Sequence, residues 1–296
     1  KLLTRTIEKF RAEHKESIGF ACQLFGVNRQ VYYRSIKRTL IKRDKAEKVV
    51  AMVVEIRKTM PRIGGKKLYY LLKPQLEVLD VGRDKFFAIL GANHLLIHPK
   101  RSYHVTTNSM HRFKKHDNLL LSIAIERPNQ VWVADITYIG KRNNPLYLSL
   151  LTDAYSKKIV GYHVADNLST ESSIMALKMA LKERKNKDFS LIHHSDRGIQ
   201  YCSDAYQELL QKNQILCSMT QNSDPYENAV AERVNGILKQ EFMIDKYEQD
   251  LNTIKILVKQ SVDTYNQQRP HLSNYLLTPN QMHQQDIIKI KTYKKQ

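Results

Sequence analysis

The chain has 296 residues, with 48 Lys and Arg against 29 Asp and Glu and a formal charge of +19. That length allows two or three compact units with at least one sizeable core, and such a charge draws a chain to phosphate backbones by counterion release, so nucleic acid is the expected partner. No stretch approaches the roughly 18 apolar residues of a spanning helix, no signal peptide opens the sequence, and Cys22, Cys202 and Cys217, without a C-x-x-C pair, exclude a disulfide framework and a cysteine-built zinc module.

The charge is lopsided: residues 1–118 hold 26 Lys and Arg against 10 Asp and Glu, residues 119–296 hold 22 against 19. The opening Lys1 is expected for a fragment or the downstream part of a longer product. Residues 1–40 read as a first helix-turn-helix segment. Ile18, Ala21, Cys22 and Phe25 recur at helical spacing, Gly26-Val27 turns the chain, and Asn28 caps a helix running to about Arg34. Arg29, Gln30, Tyr33 and Arg34 then project where groove contacts are made. An ordinary helical hairpin with solvated charges fits the same pattern.

Residues 41–98 read as a second helical, helix-turn-helix-like DNA-binding domain. A helix from Lys45 to Met60 stops at Pro61, Gly64-Gly65 opens another, and a third begins near Gly82 with Arg83 and Lys85 on its first turn. A plain three-helix bundle shares this pattern. His94 and His98 invite a zinc reading that no neighbouring cysteine pair completes. Residues 99–118, with Lys100 and Arg101, form a basic linker that can lie along phosphate.

From Asn118 the hydrophobic period changes to alternation. Strands are predicted at 130–140, 146–152 and 158–165, a helix at 170–187, a strand at 190–194, a helix at 204–212, a strand at 215–219 and a helix around Glu232. This order predicts a mixed α/β sheet flanked by helices, the RNase H-like core, over residues 119–285 with a C-terminal helical extension. Residues 286–296 are a basic tail. No internal repeat or low-complexity tract is evident.

Three acids stand out by their settings: Asp135 in a strand of core character, Asp196 at the end of another strand, and Glu232 on a helix. A buried carboxylate needs a partner, a proton or a cation. Two ionised carboxylates about 4 Å apart repel by about 4 kcal/mol at an effective dielectric near 20. Two Mg2+ ions, with Mn2+ able to substitute, would relieve this repulsion and would stabilise both oxygens of an in-line phosphoryl displacement. Asp196 before Arg197-Gly198 also reads as a turn residue. Glu232 belongs to a polar row, Asn228, Glu232, Asn235 and Lys239, opposite Val230, Val234 and Ile237. Lys239 can hold a phosphate beside the metals. His194 contacts substrate or is a satisfied core histidine, and Arg197 touches phosphate or pairs with a neighbouring acid.

The runs Trp132-Val133-Ala134-Asp135-Ile136-Thr137-Tyr138, His194-Ser195-Asp196-Arg197-Gly198-Ile199-Gln200-Tyr201 and Glu227-Asn228-Ala229-Val230-Ala231-Glu232-Arg233, with Leu238-Lys239-Gln240-Glu241, resemble the DDE motifs of OrfB-type transposases from bacterial insertion sequences of family three. The 35 residues between Asp196 and Glu232 are the spacing that family shares with retroviral integrases. Tyr265-Asn266-Gln267-Gln268-Arg269-Pro270-His271 and Thr278-Pro279 resemble its C-terminal signature, and Arg269 is a candidate DNA contact. Glu227 stands where the family usually has Asp, which leaves the triad intact.

The resemblance implies that Asp135, Asp196 and Glu232 bind two magnesium ions and that no covalent protein intermediate forms. Water nicks the element end, and the freed 3′ hydroxyl attacks a phosphodiester, commonly joining one end next to the other and giving a circular intermediate. It further implies double-stranded DNA, as element ends and target, as partner, a homo-oligomer on DNA, an upstream-frame protein or fusion, and a bacterial cytoplasmic, nucleoid-associated location. The alternative is a non-catalytic DNA-binding regulator derived from a transposase. A ribonuclease H-like nuclease acting on hybrids shares the core chemistry but not the basic helical front. A retroviral-type integrase lacks support, because no His/Cys zinc module precedes the core.

Overall fold

The computed structural model describes residues 2–97, 116–140, 145–184, 189–221, 228–246 and 250–285. Its contacts divide the chain into two compact units, Lys1–Ile56 with Leu71–Leu96, and Arg57–Tyr70 with Ile97–Gln296. Among the described residues no helix is long and apolar enough to cross a membrane.

The first unit is helical. It contains α1 (Leu2–His14), α2 (Ile18–Leu24), most of α3 (Arg29–Thr59), α5 (Lys73–Val78) and α6 (Arg83–Ala92), while α4 (Gly65–Leu71) falls almost wholly in the other unit. Ser17 caps α2 by accepting from the Phe20 N–H. Ile7 of α1, Ala21 and Cys22 of α2 and Tyr32 of α3 form a small buried cluster, to which Phe10, Ile18, Phe25, Val27 and Ile36 add. α1 has no counterpart in the sequence reading.

Two predicted helices, one ending near Arg34 and one starting at Lys45, are a single 31-residue helix. The stretch between them contains neither Gly nor Pro to stop it. Two i,i+4 ion pairs, Arg43–Glu47 at 2.7 Å and Asp44–Lys48 at 2.8 Å, support its exposed middle. The segment Arg57–Tyr70 also departs from expectation, since it clusters with the second unit instead of the 41–98 region. Two contacts explain this: the Arg62 N–H donates to the Glu241 carbonyl at 2.9 Å, and Lys67 Nζ lies 2.9 Å from Glu241 Oε1.

The second unit is built on five strands, β1 (Val131–Ile139), β2 (Leu146–Asp153), β3 (Ile159–Ala165), β4 (Leu191–Ser195) and β5 (Ile215–Met219), in the order β3-β2-β1-β4-β5. β1, β2 and β3 pair antiparallel, whereas β4 joins β1, and β5 joins β4, in parallel. The intervening helices are α7 (Thr170–Glu183), α8 (Ile199–Cys202) and α9 (Asp204–Lys212), and α10 (Ala229–Gln240), α11 (Leu251–Gln267) and α12 (Pro279–His283) follow β5. This is the RNase H-like arrangement that the sequence predicts.

Alternation along β1 sends its side chains to two cores. Trp132 and Ala134 pack with Ile174, Ala176, Leu177 and Ala180 of α7 and with Tyr201, Tyr206 and Leu210. Val131 and Val133 pack on the opposite face with Ile192, Ala154 and Ala231 of α10. α7 approaches β3 so closely that only Gly161 fits: a Cβ there would overlap the Ala176 carbonyl oxygen. On the outer side of β3, the Asn266 side chain accepts from the Ile159 N–H at 3.0 Å and donates to its carbonyl at 2.9 Å, closing part of an open sheet edge.

Candidate active site

Asp135 follows Val131 and Val133 on the α10 face of the central strand, half-buried. The parallel register pairs Val133 with His194. Two residues further along each chain come Asp135 and Asp196, so the register carries both aspartates to the same end of neighbouring strands, which lie about 4.8 Å apart. Asp196 sits just beyond β4, and its Oδ1 accepts the Gly198 N–H at 3.0 Å. The turn that the sequence suggested is therefore present, and it orients the carboxylate.

α10 is tied to β1 on either side of Glu232. Asn228 Nδ2 donates to the Ala134 carbonyl at 3.2 Å, and Asn235 Nδ2 donates to Asp135 Oδ2 at 2.6 Å. Glu232 lies one turn from each asparagine and is exposed. The polar row Asn228, Glu232, Asn235 and Lys239 thus faces the carboxylate strand. Asn235, to which the sequence reading gave no role, is the residue in direct contact with Asp135. Its place in that row was the available signal.

The three carboxylates share one electrostatic field. Burial, then the charge of Asp196, pushes Asp135 up to about 7, against hydrogen bonds from Asn235 and the Ile136 N–H; Glu232 adds a smaller push in the same direction. Partial burial raises Glu232 as well. Lys239 is half-buried and lowered by desolvation, while Asp245 and Asp135 draw it back up. Among the described residues, no three His, Cys, Asp or Glu side chains are drawn together tightly enough to hold an ion as they stand. The donor set nonetheless suits a hard divalent cation, because it consists of carboxylate oxygens that burial first, and their mutual repulsion second, set against ionisation.

Several predicted DNA contacts are placed otherwise. Arg269 is 1% exposed and grips Glu241 through Nε and Nη2, each at 2.8 Å. It is a buried structural cation, with no surface to offer a phosphate. His194 is fully buried, with Nδ1 2.9 Å from Ser218 Oγ, and Asn228 is buried against β1. His194 is thus the satisfied core histidine that the sequence allowed, and Asn228, a candidate DNA contact by its place in the polar row, instead donates its side-chain amide to the backbone of β1. Arg197 is half-buried, and its Nη2 donates to Gln221 Oε1 at 3.0 Å. Arg29, Gln30, Tyr33 and Arg34 are exposed at the start of α3, and Arg83 and Lys85 on the first turn of α6. His98, Lys100, Arg101 and Glu227 lie outside the described residues.

Comparison with known proteins places this geometry in context. The integrase core domain family matches residues 125–225, and a second integrase core domain family matches residues 213–279. The insertion element IS600 uncharacterized 31 kDa protein of Shigella sonnei is 31% identical over 256 residues, spanning 84% of this chain and 92% of that protein. The transposase for insertion sequence element IS629 of Shigella sonnei is 33% identical over 207 residues, 70% of this chain and 68% of that one. Among solved structures, the HTLV-2 integrase catalytic core domain in complex with magnesium, in its trimeric form, superposes with a TM-score of 0.42 at 21% identity, over 53% of this chain and 97% of that chain.

Proposed function

The chain belongs to the transposases of bacterial insertion sequences, enzymes with an integrase core domain, and on that premise we propose that it cuts and joins the DNA ends of its element at a DDE site formed by Asp135, Asp196 and Glu232. The observation that carries this reading is Asp135, a carboxylate on the central strand whose proton is held to about 7 by burial and by the charges of the other two acids.

Asp135, Asp196 and Glu232 would hold two magnesium ions, which when bound supply charge stabilisation to the entering and leaving oxygens of the phosphoryl transfer. Asn235 orients the Asp135 carboxylate, and Asn228 fixes the helix that presents Glu232. Lys239, on the same row, offers an ammonium to a phosphate oxygen of the bound strand. In the first step a water oxygen bonds to phosphorus, the 3′ oxygen leaves with a proton, and the backbone is nicked. In the second step that 3′ hydroxyl attacks another phosphodiester. One P–O bond forms as one breaks, so joining needs no external energy source. The substrate is double-stranded DNA, both element end and target, and holding two ends together calls for more than one copy of the chain.

The test is cleavage and strand joining on labelled element-end duplex in Mg2+. Asp196→Asn should lose both activities by on the order of a thousand-fold, the scale of losing one charge-stabilising group, with its circular dichroism unchanged. Undiminished joining by that variant would overturn the assignment.

A further inference from the structure

The turn between α2 and α3 and the turn between α5 and α6 are the same structure, 54 residues apart. In the first, the N–H groups of Phe25, Gly26 and Val27 donate to the carbonyls of Ala21, Gln23 and Cys22 at 3.1, 3.1 and 2.8 Å. In the second, Leu79, Asp80 and Val81 donate to Gln75, Glu77 and Leu76 at 3.2, 3.0 and 2.9 Å. The third residue of each set returns to a carbonyl five residues back around a left-handed residue, Gly26 at φ 64° and Asp80 at φ 52°. Four residues separate the first helix from the next in each case, which begins at Arg29 and at Arg83.

The equivalence extends to the packing. Cys22 and Leu76 are buried on the first helices, and Tyr32 and Phe86 on the second. Each second helix carries an edge-to-face aromatic pair at the same place, Tyr32–Tyr33 with centroids 5.4 Å apart and Phe86–Phe87 with centroids 5.8 Å apart. Aligned residues 18–36 and 72–90 are identical only at Val27/Val81 and Arg29/Arg83. The duplication is therefore visible in the backbone and not in the sequence.

One helix links the two copies. The start of α3 completes the first motif through Tyr32 and Ile36, and its later turns bury Val49 and Val53. Between them, every residue from Lys37 to Asp44 is exposed, a rod about 12 Å long carrying Lys37, Arg38, Lys42 and Arg43 against one acid, Asp44. A continuous helix transmits rotation without slack, and basic residues over its middle match a phosphate backbone.

We infer that the helical unit holds two copies of one DNA-reading motif, set at a fixed distance and angle by the helix they share, and that it recognises a duplex site made of two separated parts. Arg29 and Arg83 occupy the corresponding reading positions, and the rod between them lies over intervening phosphates. This rests on the reading that the chain acts on DNA, and it deepens that reading by specifying the form of the site.

The test uses the full-length chain without divalent cation and duplexes selected from a random-sequence pool. Selected sites should hold two motifs at one separation. Arg29→Ala should erase sequence preference at one motif and Arg83→Ala at the other. Two alanines inserted between Leu40 and Ile41 turn the second motif by about 200° and should weaken binding at least ten-fold. Seven alanines restore the angle to within about 20° and should restore binding to sites with a longer separation, and circular dichroism verifies folding of each variant. A single undivided motif, loss of the same bases in both arginine variants, or an unchanged site after the two-residue insertion would overturn the inference. Because no cation is present, these outcomes are independent of the joining activity that tests the catalytic assignment.

Discussion

Asn235 donates a 2.6 Å hydrogen bond from Nδ2 to Oδ2 of Asp135, joining the helix that bears Glu232 to the strand that bears the first aspartate. The contact favours the ionised carboxylate, yet Asp135 still sits at about 7, so burial and the neighbouring negative charge outweigh it. The site is set against its own ionisation until a cation or a proton compensates.

This has a measurable effect on stability. Asp135 has a folded-state value near 7 against an ordinary 3.8. A raised acid stabilises the fold below its unfolded value, and that contribution is lost as pH rises through the folded value. Asp135→Asn should therefore be more stable than the parent at pH 8 without divalent cation, by on the order of 2 kcal/mol once solvent screening at a half-buried group is discounted, and should unfold at a higher temperature. The gap should close toward pH 4. Thermal scans across that range measure it, and a variant no more stable at pH 8 would contradict the electrostatic account.

Glu241 bridges two buried cations, Lys67 and Arg269. The pair of effects is asymmetric: Glu241 is drawn down to about 2 despite burial, whereas burial and the Arg269 charge push Lys67 down to about 8, more than Glu241 pulls it up. The two-pronged Arg269 contact is thus the stronger one. Glu241→Ala should cost about 3–5 kcal/mol, because it strands two cations away from water. In the parent, the stability this carboxylate gives is present above about pH 4.5 and lost as pH falls through about 2. Urea unfolding of the variant and acid unfolding of the parent measure the two effects.

Gly161→Ala places a methyl group against the Ala176 backbone oxygen, where neither β3 nor α7 can yield cheaply. Destabilisation of about 3 kcal/mol or more is expected from such overpacking. Denaturant titration that found no loss would show that the two elements separate more easily than their packing indicates.

Much of this was legible in the sequence because the signals were local. The alternation over 130–140 and the helical period over 170–187 pointed to the sheet and its cover, found at Val131–Ile139 and Thr170–Glu183, and the polar row through Glu232 marked the helix face that meets Asp135. What escaped depended on distant partners. Arg269 looks like any exposed basic residue until Glu241, 28 residues earlier in the chain, is folded against it. Asn228 is a polar side chain whose partner is the backbone carbonyl of Ala134 on the central strand. The unbroken α3 was hidden by the expectation of separate domains, although nothing in Ser35–Asp44 could stop a helix. The repeated turn was hidden because its φ values and hydrogen bonds tolerate Gly26 in one copy and Asp80 in the other.

DNA binding by the intact chain should weaken steeply with salt. Exposed basic residues on α3 and α6 that neutralise about six phosphates would cost roughly 10³-fold in affinity between 50 and 200 mM salt. A flat response in a filter-binding titration would remove the basic front from the account.

The central claim, that the three carboxylates serve as ligands to the catalytic cations, is tested most directly by changing the hardness of one ligand. In Asp196→Cys a soft thiolate replaces a hard carboxylate, which disfavours Mg2+ more than Mn2+. Strand joining on element-end DNA should be abolished in Mg2+ and recover at least ten-fold in Mn2+. Full activity in Mg2+, or equal loss in both cations, would contradict a metal-binding role for Asp196.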